Sequence, residues 1–262
     1  MVTSHQPPDH TATFRFYAEL NDFLSADQRQ CDFRYSFTGS PAVKDAIEAI
    51  GVPHPEVDLI VVGGVSVGFD YHLEDGDAVS VYPVFEALDI SPVVRLRPEP
   101  LRVTRFILDV HLGKLARALR LLGFDTAWER VTEKSTLVAR SLDEHRIILT
   151  RNRELLKSGG VTHGYWIRHT DPHRQLSDVI ARLELCAQAR PFTRCTVCNG
   201  TIELTDTEEA RREAPERVRE RYDEFYRCQS CGKLYWHGTH YERLKAFVDG
   251  MMGGGMMSDK ES

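Results

Sequence analysis

The chain has 262 residues, 42% of them hydrophobic and 27% charged, with a net charge of -6 and a pI near 6.0. That length suits two compact domains, or one domain with an appendage, with a real core, and the charge excludes a wholly basic nucleic-acid binder, so RNA contacts would have to come from a local patch. No apolar run approaches the roughly 18 residues that span a bilayer, which argues against a membrane helix.

The opening stretch MVTSHQPPDHTA is polar and lacks the basic start and apolar run of a secretory signal, so a cytoplasmic location is expected. Residues 1–11 are expected to be disordered, and so is the tail 249–262, which has no periodicity. Residues 12–90 form a first unit. TFRFYAEL alternates as a half-buried strand does, and FRYSF offers it a partner. From Ser40 to Ile50 the period becomes helical, with Val43, Ala46, Ile47 and Ile50 on one face. Ser40 is the expected N-cap, Pro41 the first helical residue and Gly51 the stop. DLIVVGG and AVSVYPVF follow as strands, with Gly63-Gly64 as a hairpin turn and LEDGD as a tight turn.

This order, with the ending LEDGDAVSVYP, resembles the ubiquitin-like β-grasp sulfur carriers of thiamine and molybdopterin synthesis. Those carriers act through a C-terminal Gly-Gly thiocarboxylate. Here the chain runs on and Gly63-Gly64 is internal, so the resemblance implies the α+β β-grasp fold with a docking role and a protein partner, not carrier chemistry.

Three prolines stiffen SPVVRLRPEPL, residues 91–101, which reads as a linker. A second unit, 102–189, alternates strands with helices. RFILDV leads into HLGKLARALRLLGF, whose stripe is Leu112, Leu115, Ala116, Leu119 and Leu122 with Gly123 as cap. FDTAWER, a helix over Thr136–His145, RIILTRN, GYWIRH and PHRQLSDVIARLEL complete it. The pattern predicts an α/β parallel sheet covered on both faces, with ligands at the carboxyl ends of the strands. Asp109 and Asn152 fall at that edge.

A third unit, 190–248, carries Cys195-Thr-Val-Cys198 and Cys228-Gln-Ser-Cys231, separated by a charged stretch that reads as helix or poorly ordered chain. Two CxxC knuckles complete a four-thiolate shell for one structural zinc, with no position open for substrate. Asn199-Gly200 and Gly232 supply the tight backbone that such loops need. His237 and His240 stand near the second knuckle as RNA contacts, packing residues or spare ligands. Cys31 and Cys186 read as small buried hydrophobes.

Asp109 ending a buried strand calls for a ligand or for the capping of the helix behind it, and the sequence leaves both open. Glu133, Asp143, Glu144 and Asp171 are carboxylates that would converge there around Mg or Mn, a cluster able to activate water for phosphodiester cleavage. Lys114, Arg117 and Arg120 recur along one helix flank, and Arg151 and Arg153 flank Asn152, as a phosphate backbone requires.

Together FILDVHLGKLARALRLLGFDTAW, RIILTRNRELL, HRQLSDVI and RCTVCNGTIE…FYRCQSCGKLYWHGTHYERL resemble the Mut-seven C-terminal RNase family, of PIN-like nuclease fold, over residues 103–245. Bacterial members commonly carry a ubiquitin-like domain in front. The resemblance implies a metal-dependent ribonuclease with a zinc ribbon that assists RNA binding, and as partners RNA, including tRNA or the ribosome. Asp109 matches the family's first metal-binding aspartate, with Glu133, Asn152 and Asp171 as secondary positions. The family's LTRD reads LTRN here, so Asn152 brings no charge. Three functions follow: an endoribonuclease with a carboxylate-poor pocket, a non-catalytic RNA- or ribosome-binding factor, and a protein-interaction adaptor acting through the β-grasp domain.

Overall fold

The computed structural model describes residues 10–83, 104–130 and 133–253. The 91–101 linker, the first nine residues and the end of the tail lie outside them. In chain order come β1 (His10–Phe16), β2 (Phe33–Phe37), α1 (Val43–Ile50), β3 (Val57–Val62), β4 (Val65–Val67) and β5 (Ala78–Pro83). Next are β6 (Arg105–Leu108), α2 (Gly113–Leu121), β7 (Asp125–Trp128), α3 (Lys134–Asp143), β8 (Ile147–Thr150), α4 (Arg153–Leu156), β9 (Gly164–Trp166) and α5 (Pro172–Arg182). The last part holds β10 (Ile202–Leu204), α6 (Thr207–Glu213), α7 (Glu216–Arg219), β11 (Tyr226–Cys228), β12 (Leu234–Tyr235) and α8 (Thr239–Gly253). The described residues gather into two compact units, 10–83 with 133–166 and 104–130 with 167–253.

In the first unit the β-grasp sheet has the order β2-β1-β5-β3-β4, with β1 and β5 parallel at its centre and the other pairs antiparallel. Alternation puts Phe14, Phe16, Ile60 and Val81 on the inner face, where they meet Val43, Ala46 and Ile47 of α1. The expected turn at LEDGD is built by Asp77, whose Oδ2 accepts the Glu74 N–H at 2.9 Å and the Tyr71 hydroxyl at 3.1 Å.

Ser40 does not cap α1. The helix starts later, behind Ala42, because the segment beside it supplies backbone acceptors: Val43 N–H donates to Tyr71 O at 2.7 Å and Lys44 N–H to Phe69 O at 3.3 Å. With the first orphan donors met by carbonyls no side-chain cap is needed, and the Ser40 hydroxyl turns to Leu73 O at 3.0 Å. Periodicity also misses β4 and the 3-10 turn Ala18–Phe23, both too short to show a period. Cys31 and Cys186 are exposed rather than buried, each on a short surface turn.

The same unit holds β8 and β9, paired in parallel with Ile148 opposite Gly164 and Thr150 opposite Trp166. The β-grasp domain packs against them through the turn His54–Glu56. Glu56, 1% exposed, accepts the Trp166 backbone N–H at 2.5 Å, and His54 Nε2 meets Val161 O at 2.7 Å. Trp166 packs on the β-grasp core, with Phe23 4.9 Å away between ring centres.

In the second unit β6 and β7 run parallel, Arg105 opposite Asp125 and Leu108 opposite Trp128. The predicted stripe of α2 is buried and packs against α5, where Leu176 and Val179 are buried. The charged stretch between the knuckles folds as α6 and α7, and Ala210 of α6, Val218 of α7 and Ala214 between them enclose Phe225 in a small core. The last helix, α8, continues through Gly253, beyond the Val248 at which the folded chain was expected to end.

Gly123 ends α2 with φ +90, and a Cβ there would stand 2.0 Å from the Arg190 carbonyl oxygen. We predict that Gly123→Ala costs more than the roughly 1–2 kcal/mol of left-handed strain alone, since the clash is with backbone. Denaturant unfolding of the two chains checks this; a loss below about 0.5 kcal/mol would be inconsistent with that geometry.

Candidate metal centre and strand-end residues

The two knuckles are built alike. Asn199 N–H returns to Cys195 O at 2.9 Å and Gly232 N–H to Cys228 O at 3.0 Å, closing each loop around its cysteine pair. Asn199 and Gly232 take φ +71, as such turns demand. Gly200 is held by space: a Cβ there would lie 2.8 Å from the Cys228 sulfur. The four sulfurs all lie within 4.8 Å of one another, with Cys198–Cys228 at 3.4 Å and Cys195–Cys231 at 3.7 Å. A tetrahedral ion with metal–sulfur bonds of about 2.3 Å sets its ligands roughly 3.8 Å apart, so the donor set fits a metal ion such as zinc. Neither His237 nor His240 joins this group.

Burial pushes the Cys195 thiol up, but the Tyr235 hydroxyl at 3.0 Å and backbone N–H groups of the knuckle outweigh it and bring it down to about 6. Burial pushes Cys198 up to about 12. An ion bound there must displace the proton of Cys198.

The ribbon is joined to the strands of its own unit by a dense polar seam. Arg120 is 3% exposed; its Nε donates to Thr126 O at 2.9 Å and a terminal nitrogen to Val197 O at 2.9 Å and Thr196 O at 3.4 Å. Asn199 accepts the Thr126 N–H at 2.9 Å and donates to Asp125 at 2.8 Å. This corrects the placing of Arg120 among the RNA contacts. Each step of three residues drifts by about 60° on a helix of 3.6 residues per turn, so Arg120 stands about 120° round from Lys114, and here it turns into the seam. Burial lowers the Arg120 pKa, opposed by the nearby Cys198 and Cys195 charges. Lys114 and Arg117 are exposed, as expected of the flank.

The strand-end residues share one local role. Asp109, half-buried behind β6, accepts the His111 N–H at 2.9 Å. Asn152, behind β8, accepts the Glu154 N–H at 3.1 Å and caps α4. Asp171 caps α5 with bonds from His173 and Arg174 N–H at 3.1 and 3.0 Å; these backbone bonds, the one from Arg174 foremost, lower its pKa. Glu133 precedes α3, exposed and without a capping bond. Asp109 and Asp171 belong to the second unit, Asn152 and Glu133 to the first. Glu144 is engaged by Arg140 at 2.5 Å and by Arg146; burial raises its pKa, but these two partners lower it further. Among the described residues the four cysteines are the one group of three or more metal-binding side chains. Asp109, Asn152 and Asp171 each give a side-chain oxygen to backbone N–H groups just behind them, whereas Glu133 makes no such bond and Glu144 is held by arginines.

One further assignment changes. Arg153 is half-buried with its guanidinium 3.9 Å above the Trp166 ring and 5.1 Å from that of Phe23, and donates to Asp22 O at 3.1 Å, so it serves packing within its unit. Its neighbour Arg151 is exposed, with its carbonyl accepting Trp166 Nε1–H at 3.3 Å. His237 is exposed and stacked 4.0 Å from Tyr241, with Tyr226 at 5.1 Å on its other side; Tyr241 also meets Phe192 at 4.7 Å. His240 is exposed at the start of α8. The aromatic pairing of His237 was signalled only by the nearby Tyr and Trp residues.

Chelation of the metal, or Cys231→Ser, is expected to unfold residues 190–248 while the β-grasp domain stays folded, because a four-thiolate site supplies much of a ribbon's folding energy. Limited proteolysis with near-UV CD reads both halves; an undisturbed ribbon would refute it. Tyr235→Phe removes a donor that holds Cys195 ionised. Since that thiol is depressed to about 6, its contribution is lost as pH falls through that value, and the variant should release metal at higher pH than the wild type in a chromophoric-chelator titration. Arg120→Ala should cost about 1–3 kcal/mol by stranding carbonyls in the seam, with Lys a poor substitute.

The Mut7-C RNAse domain family matches residues 104–248 and the Mut7-C ubiquitin family residues 9–89. No curated protein and no solved structure matches the chain significantly. No helix among the described residues is long and apolar enough to cross a membrane. The match to the RNAse domain covers more than half of the sequence and holds both the parallel α/β strand pairs and the four-cysteine group: the chain belongs to the Mut7-C RNAse family.

Proposed function

We propose that the chain is a cytoplasmic, RNA-directed protein of the PIN-like nuclease type, acting as a metal-dependent endoribonuclease with a carboxylate-poor site. The observation that carries this reading is Asp109, placed at the carboxyl end of a parallel strand within the segment matched by the RNAse family. Asp109 suits an ion that arrives with its substrate, since magnesium is commonly held by one or two carboxylates together with phosphate oxygens and water. Such an ion would supply an activated water and neutralise developing charge. Asp109 would hold it, while the exposed Lys114 and Arg117 on α2 steady the phosphate backbone. The ribbon would carry zinc as a structural ion and present His237 and His240 to RNA, with tRNA and ribosomal RNA as candidate substrates.

The second reading is a binding factor without chemistry. Asn152 supports it, since its only side-chain oxygen caps α4 and brings no charge to any ion. Asp109→Asn separates the two. For an enzyme, cleavage of a mixed RNA pool should vanish while RNA affinity stays equal or rises slightly, one repulsive charge being gone. For a binding factor, neither chain cleaves and both bind alike. Undiminished cleavage by the variant, in preparations free of contaminating nuclease, would move the site away from Asp109.

A further inference from the structure

Ubiquitin-like domains invite a search for an outside partner, yet this one already grips a part of its own chain. The contacts converge on β9 and on the turn between β8 and α4. Glu56 takes the backbone N–H of Trp166 at 2.5 Å, and His54, also held by Glu48 at 2.5 Å, takes Val161 O at 2.7 Å. The Trp166 ring lies against Phe23 on one hand and beneath the Arg153 guanidinium, 3.9 Å away, on the other. Arg153 also donates to Asp22 O at 3.1 Å, and Trp166 Nε1 donates to Arg151 O at 3.3 Å. Residues on both sides of Asn152 are thus tied to the β-grasp domain, Arg151 through Trp166 and Arg153 directly.

We propose that the β-grasp domain works in cis as a clamp on residues 151–153, with Glu56, Trp166 and Arg153 as positioning residues that fix Asn152 and its neighbour Arg151 for RNA. This rests on the RNA reading above. The physical case is that a four-residue helix such as α4 has little stability alone, so the turn before it takes its geometry from what it is packed against. Arginine over indole with a phenyl ring alongside is a rigid, partly desolvated bracket, and a buried carboxylate on a strand N–H fixes the strand that bears the indole.

The test uses the full-length chain with hydrogen exchange and RNA binding measured together. In Trp166→Ala, exchange over residues 152–156 should rise about tenfold, and affinity for a single-stranded RNA pool should fall by a similar factor. Trp166→Phe keeps a ring between Arg153 and Phe23 and should restore most of both. Should Trp166→Ala fail to fold, Phe23→Leu in the β-grasp domain makes the same test from the other side. Unchanged exchange at 152–156 in a folded variant would overturn the clamp. So would raised exchange with unchanged RNA affinity and cleavage, which would separate the turn from RNA handling. A wild-type chain that neither binds nor cleaves RNA would sink the RNA reading by itself, and the exchange data would still decide whether the β-grasp domain holds the turn.

Discussion

The carboxylate of Glu56 and the backbone N–H of Trp166 meet at 2.5 Å in a place where neither could be left alone. A carboxylate only 1% exposed is costly to bury by several kcal/mol unless it is well bonded. A β9 N–H that faces away from β8 is a liability of the kind edge strands always carry. Each solves the problem of the other. On that bond rests the position of the Trp166 ring, on the ring the stacking of Arg153, and through Arg151 and Arg153 the turn that holds Asn152. The β-grasp domain therefore completes a piece of sheet as a neighbouring strand or covering loop would.

The strand-end residues show how one chemistry serves two ends. Oxygen acceptors at the carboxyl end of a strand are suited both to bind a cation and to cap the helix that follows. Asp109, Asn152 and Asp171 all make capping bonds. A carboxylate keeps a second oxygen beyond the one that caps, whereas the single oxygen of Asn152 is the cap itself. An aspartate in place of Asn152 would keep the same helix start and add a charge.

Much of this was legible in the sequence, for physical reasons that also explain the failures. The cysteine knuckles were readable because metal geometry fixes spacing locally. The stripe of α2 and the alternation of β1 were readable because one face of each is buried along its whole length. Arg120 was not, since an arginine on a helix flank looks the same whether it meets solvent or a ring of carbonyls contributed from residue 196 onward. Arg153 misled for a similar reason: its partners Phe23 and Trp166 lie 130 residues upstream and 13 downstream. Ser40 was a sound cap by residue type, displaced by backbone carbonyls that only tertiary structure brings alongside α1.

The seam around Arg120 bears on how such a protein can be taken apart. Zinc ribbons are often treated as portable modules, cut and rejoined at will. Here a boundary drawn at residue 190 would leave a buried guanidinium facing two absent carbonyls, and the Thr126 N–H without its Asn199 acceptor. Arg190 and Phe192 N–H groups also bond to Leu122 and Leu121 oxygens at 2.9 Å, closing the end of α2. Ribbon, α2 and β7 are therefore joined bond by bond, and gain or loss of a metal would be felt at β7, the strand paired with the one that ends in Asp109.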